Sequence, residues 1–145
     1  MVGLRIEGEV EHPRELGVAE LEALPGQVAD VAELVPGREG AGVRLDAVIA
    51  SCAPRAGATH ATLASADRTF AISVPLDAIA RGAVVVYRLG DEPLPRARGG
   101  PARLVVVDAV ACGAAGIDAC ANVKDLGVVR LTVGREPDVG HRHDR

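Results

Sequence analysis

This chain has to close its core almost without aromatic side chains. Its 145 residues include one Phe (Phe70), one Tyr (Tyr87) and no Trp. The interior must therefore be built from Val, Leu, Ile and Ala, the aliphatic residues most often found inside. The same shortage removes the stacking platforms on which single-stranded nucleic acid is bound. A formal net charge of −4 also argues against a nucleic-acid partner, which favours a basic footprint. The excess of Ala, Gly, Val, Arg and Pro is what a GC-rich genome produces and carries no functional weight.

The apolar residues come in short, punctuated runs. Leu4, Ile6, Gly8 and Val10 alternate with Arg5, Glu7 and Glu9, the period of a half-buried strand, which His12-Pro13 ends. Val18, Leu21 and Leu24 share one helical face ahead of Pro25. The run from Val28 to Val35 reads as a second strand, closed at Pro36-Gly37. Leu45, Val48, Ile49 and Cys52 follow helical spacing and predict a helix over 44–53 with Cys52 in its packed face. Two runs, 59–65 and 69–74, flank Ala66-Asp67-Arg68 and predict a hairpin. A short helix is expected over 76–80, and strands over 84–89, 103–107 and 128–133. Residues 111–125 read as irregular or weakly helical. From Gly134 apolar residues thin out, so 134–145 is expected to be a disordered tail behind a single domain spanning 1–133. Strand-rich order without regular strand–helix alternation predicts an α+β fold of mixed sheets and short helices.

Between two of these strands lies a loop, GDEPLPRARGGP, which leads into RLVVV. Proline and glycine punctuate it, and it brings Arg96, Arg98 and Arg103 to the edge of a sheet. Free backbone N–H groups and cations at such an edge suit an anionic ligand. No apolar run reaches the roughly 18 residues that span a bilayer. The start, MVGLRIEGEVEHP, lacks a signal-peptide pattern, so the expected location is the cytoplasm and no membrane partner is expected. Three cysteines (Cys52, Cys112 and Cys120) without a Cys-x-x-Cys pair fit neither a secreted disulfide scaffold nor a zinc knuckle.

In their order these segments resemble the molybdopterin-binding domain of the sulfite oxidase family over most of residues 4–133. LRIEGEVEHPRELGVAELEALPGQ is similar to that family's opening strand, Pro and short helix ending in Leu-Pro. GVRLDAVI resembles its Gly-Val-x-Leu helix. FAISVPLDAI followed by VVVYRLGDEPLPRARGGPARLVVV is the nearest stretch, and VKDLGVVRLTV resembles the closing segment. The resemblance implies a pterin held between sheets, and in full members a cysteine thiolate on molybdenum, before the Gly-Val-x-Leu helix. Here that region reads VADVAELVPGREGAGVRLDAV, without cysteine. Cys52 follows the helix and is no positional replacement. The family's Trp ahead of Gly-Val is also missing, Arg98 stands in place of its histidine before Gly-x-Pro, and Asp125 in place of its Trp after Val-Lys.

The resemblance places Arg103 and Lys124 near the pterin or its phosphate, with Arg38 beside the family's cofactor loop. A guanidinium suits phosphate through paired hydrogen bonds, and an ammonium through its point charge. Each position also has a plainer reading. Arg103 can pair with an acid at a strand edge, Lys124 reads first as a surface partner of Asp125 or Asp118, and Arg96 and Arg98 read as a solvated loop face. Cys112 and Cys120 read first as buried thiols, then as a short disulfide, and last as metal ligands with Asp118. His60 reads as a half-exposed strand residue, and His141 and His143 with Asp144 as incidental tail groups.

The sequence therefore supports a stand-alone domain of this type that binds molybdopterin or another anionic ligand without molybdenum catalysis. Two alternatives stay open. One is an active oxidoreductase in which Cys112 or Cys120 reaches the metal. The other is a non-catalytic interaction module.

Overall fold

The computed structural model describes residues 3–107, 122–137 and 139. Two five-stranded sheets enclose the main core, and the fold is α+β. In the first sheet, β1 (Leu4–Gly8) lies between β2 (Arg14–Leu16) and β10 (Leu126–Thr132), followed by β5 (His60–Ser65) and β6 (Ala71–Pro75). Strands β1 and β10 run parallel, with Arg5 opposite Val128. Strands β5 and β6 form the expected hairpin. In its turn Asp67 accepts from Ser65 and twice from Thr69, which hold its carboxyl below the usual range, the Thr69 N–H first.

The second sheet is organised by β7 (Ala83–Leu89). It pairs with β4 (Ala41–Arg44) on one side and with β9 (Arg103–Val106) and the short β8 (Glu92–Pro93) on the other, while β3 (Gln27–Val28) extends β4. Residues 84–86 read as an unbroken valine run because both faces are covered. Val85 and Tyr87 enter the main core with Leu4, Ile6, Leu63 and Val129. Val84 and Val86 face a second cluster with Val31, Leu94 and Val105. The buried Tyr87 hydroxyl donates to Gln27 Oε1, which gives this large core side chain a partner for its polar end.

Among the described residues three short helices fill the connections: α1 (Val18–Ala23), α2 (Leu45–Ala50) and α3 (Leu76–Gly82). Among the described residues none is long and apolar enough to cross a membrane. The helix expected over 44–53 is shorter than that, but Cys52 is fully buried in the main core, as its spacing implied.

The strand expected over 28–35 is corrected. Only Gln27–Val28 pairs, and Val31–Glu33 is a 3-10 turn. Asp30 is the cause: its Oδ1 accepts the Ala32 N–H and caps the turn, offering the backbone a local alternative to the ladder. The paired strand lies later, at Ala41–Arg44. There Gly42 lets β4 approach β7, since a Cβ would collide with the Val85 carbonyl.

Of the tail expected to be disordered, residues 134–137 and 139 are described. Val139 pairs with Ala71. Glu136 accepts from Thr62 at 2.6 Å and from Arg130 at 3.0 Å, and its N–H donates to Ser73. Arg130 also donates to Glu7 at 2.9 Å. Cys112, Cys120, Asp118, His141, His143 and Asp144 lie outside the described residues.

The Arg130 guanidinium beside Glu7, and the Thr62 hydroxyl with Arg130 beside Glu136, hold both carboxyls below their usual value near 4.5. A lowered folded-state value stabilises the fold above the unfolded-state value, and that stabilisation is lost as pH falls through the folded one. Arg130→Met should therefore cost about 1 kcal/mol at neutral pH, the scale of a partly exposed ion-pair network. In urea unfolding curves at stepped pH, its deficit against wild type should shrink below pH 4.5.

Candidate functional site

Residues far apart in the chain meet at one end of β7 because both of its neighbours carry a cation there. In the register, Val86 faces Gly42 on β4 and Arg103 on β9. Strands on opposite sides of β7 lie two spacings apart, roughly 10 Å. The turn leading into β4 carries Arg38, and a guanidinium arm from each side spans that gap. Gly37, Arg38, Glu39, Arg98, Arg103 and Val105 line the resulting cleft of about 130 Å³.

The Pro-Leu-Pro loop forms one wall. Leu94 is buried in the second apolar cluster, and its N–H donates to the Tyr87 carbonyl, which pins the loop to β7. Residues 96–98 then make a 3-10 turn that ends at Gly99 in left-handed backbone, φ +93°. Only glycine adopts this geometry without strain. The Gly100 N–H returns to the Pro95 carbonyl, and a Cβ at Gly100 would collide with the Leu94 carbonyl. The two adjacent glycines thus fold the loop tightly against the start of β9.

Lys124 reaches the same corner from the far edge of β9. Val123 accepts from Leu104, Leu126 donates to Ala102, and Asp125 donates to Gly99 at 2.7 Å, so the segment lies alongside β9. A Cβ at Gly99 would stand 3.2 Å from both Arg103 Cδ and Lys124 Cγ. Gly99 is therefore the shared floor on which Arg103 and Lys124 rest. Lys124 does not line the small cleft. It lines a neighbouring cleft of about 420 Å³ with Ser65, Asp67, Thr69, Phe70 and Asp125. Its two carboxylates, Asp67 and Asp125, make that larger cleft a poor place for an anion.

Arg103 is the central cation. Its Nη1 donates to the Arg98 carbonyl at 3.1 Å, while its Nε is buried without a hydrogen-bond partner among the described residues. A buried donor left unmade costs about 1–3 kcal/mol, so a position like this calls for an acceptor. Burial, and then the neighbouring Arg38 charge, push the Arg103 guanidinium below its usual value. Neither Arg38 nor Lys124 has an ion pair among the described residues. The expected Lys124–Asp125 pair does not form, and among the described residues Arg103 makes no ion pair. Arg98, read as a solvated loop residue, is exposed but pairs with Glu39 at 2.6 Å. That contact joins two distant loops, and nothing in local spacing signals it. Arg96 is exposed, and His60 is half-exposed on β5.

An α+β domain with a cationic cleft between the Pro-Leu-Pro loop and the turn before β4 is thus the class of protein defined here. The chain belongs to the oxidoreductase molybdopterin binding domain family, which it matches over residues 2–117, and is a sulfite oxidase-like molybdopterin-binding domain. The match covers Arg38 and Arg103 and ends before Lys124. Among solved structures, the fold is similar to the sulfane dehydrogenase SoxCD from Paracoccus pantotrophus, with a TM-score of 0.68 and 19% sequence identity. That superposition covers 92% of this chain and 39% of the other, so this chain spans about two fifths of that protein's length. No curated protein matches the sequence.

If Gly100 closes the loop as described, Gly100→Ala should lower stability by about 1–3 kcal/mol, the scale of an overpacked site. Exposed Ala97→Ser, in the same loop, should change it by less than about 0.5 kcal/mol. Thermal unfolding of the two variants side by side measures both.

Proposed function

We propose that this domain binds a phosphorylated pterin of the molybdopterin class, or a closely related anionic ligand, and that it does so without molybdenum catalysis. The observation that carries the reading is the Arg103 Nε, buried and without an acceptor among the described residues, beside Arg38 and near Lys124, neither of which has an ion pair among those residues. A phosphate oxygen is the acceptor this geometry suits, because guanidinium groups bind phosphate through parallel, charge-assisted hydrogen bonds. A cleft of about 130 Å³ has room for a phosphate group and not for a whole pterin.

The residues present fit the phosphate end of the cofactor. Arg103 would hold it from β9, Arg38 from the turn before β4, and Lys124 would add positive potential from the rim. When bound, molybdopterin supplies a dithiolene able to carry molybdenum, and family members add a protein thiolate. The residues do not fit that second part. The stretch from Val28 to Val43 offers Asp30, Glu33 and Glu39, hard oxygen donors in place of a soft thiolate. The described thiol, Cys52, is sealed in the main core. Oxygen-atom transfer is therefore left out of the proposed function, which is retention of an anionic ligand by a domain that we place in the cytoplasm.

Protein purified from a host that makes the cofactor decides the matter. Extraction and oxidation should release a fluorescent pterin, metal analysis should find no stoichiometric molybdenum, and Arg103→Gln should lose most of the pterin while remaining folded. Stoichiometric molybdenum with turnover of an oxyanion or sulfoxide would overturn the reading. Loss of that metal on Cys112→Ser or Cys120→Ser would then identify the ligand.

A further inference from the structure

The cationic cleft has an internal competitor. Glu39 lines it and holds Arg98 in a 2.6 Å ion pair, so one of the three guanidinium groups in the cleft is engaged by the protein's own carboxylate. Both partners are more than half exposed, at 57% and 58%. An exposed pair of this kind is held weakly and exchanges readily for a better anion. A phosphate dianion is such an anion: it carries more charge than a carboxylate and has oxygens for several guanidinium donors at once.

Glu39 also has somewhere to go. It lines a second cleft, of about 320 Å³, together with Asp30 and Arg88. Arg88 donates from Nη1 to Glu22 and keeps a buried Nε without a hydrogen-bond partner among the described residues. Glu39 stands between Arg38 and Gly40, ahead of the register of β4 with β7, and Gly40 has φ +118°, backbone that glycine adopts readily. The turn carrying Glu39 therefore separates two clefts, each with a guanidinium to receive it.

We infer that Glu39 is a displaceable gate on the phosphate cleft: it occupies Arg98 when the cleft is empty and yields it to a phosphate group, so that Arg98 becomes a third guanidinium on the bound anion. This rests on the proposed phosphate-binding role of Arg103 and goes beyond it by assigning a specificity role to the Arg98–Glu39 pair. A monoanionic carboxylate ligand would merely replace Glu39 with its like. A phosphate would gain charge and donors, so the pair selects phosphate over carboxylate ligands.

Titration of the folded, pterin-free protein with inorganic phosphate, followed through the backbone amide signals of Gly37 and Gly99, tests this. Glu39→Gln should bind phosphate about two- to five-fold more tightly than wild type, the factor equivalent to a weak surface pair. In an Arg98→Gln background the same substitution should have no effect, because there is no guanidinium left to release. Acetate titrated in the same way should bind wild type more weakly than phosphate. Unchanged or weaker phosphate binding in Glu39→Gln would overturn the gate, and so would an equal gain in the Arg98→Gln background. If wild type binds phosphate and Arg103→Gln does not, the Arg103 reading survives that failure. If wild type and Glu39→Gln both fail to respond to phosphate, gate and phosphate site fall together.

Discussion

The site depends on the burial of β7. This strand is paired on both edges and covered on both faces, so its backbone cannot shift without breaking two ladders and two apolar clusters. Everything that reaches the cationic cleft hangs from it. Strand β4 brings the turn with Arg38 and Glu39 to one edge, and β9 brings Arg103 to the other. The Pro-Leu-Pro loop is fixed by Leu94, seated against Val84, Val86 and Val105. A core with Tyr87 as its one fully buried aromatic among the described residues relies on many aliphatic contacts, and strand β7, which carries the site, supplies both Tyr87 and a run of them.

Against that rigid frame stands an electrostatic imbalance. Arg38 and Arg103 repel one another, and burial makes the Arg103 charge costlier still. The protein offsets this only in part, through a carbonyl on Nη1 and the exposed Glu39 carboxylate on the neighbouring Arg98. Stability alone would favour an acid beside Arg103. Concentrated like charge on a fixed scaffold is instead the arrangement expected where a ligand supplies the countercharge. The Glu7–Arg130–Glu136 network on the first sheet shows the contrast: there one guanidinium is matched by two carboxylates.

Much of this was legible in the chain. The alternation in β1, the unbroken valines of β7, the hairpin of β5 and β6 and the punctuated loop after Gly90 each carry a strong local signal. Strand β4 carried none. It is four residues long, lacks alternation and runs directly into α2, so its residues read as the start of a helix. The stretch after Val28 read as a strand because its apolar residues fit one, while a single Asp30 cap turned it into a 3-10 turn. Resemblance to a family points to Arg38, Arg103 and Lys124, and spacing along the chain does not join them. Their meeting depends on which strands flank β7, a long-range fact. The Arg98–Glu39 pair was illegible for the same reason.

The Nε–H of Arg103 is the atom on which the proposed function turns, and it is directly observable. Arginine side-chain nitrogen–proton spectra, assigned through Arg103→Lys, should be recorded on pterin-loaded and pterin-free protein. If a phosphate accepts from this donor, the Arg103 Nε–H signal should move well downfield on loading and its exchange with water should slow, with smaller shifts at Arg38. A signal unchanged in protein that carries stoichiometric pterin would contradict the site, and would show that the ligand lies elsewhere on the fold.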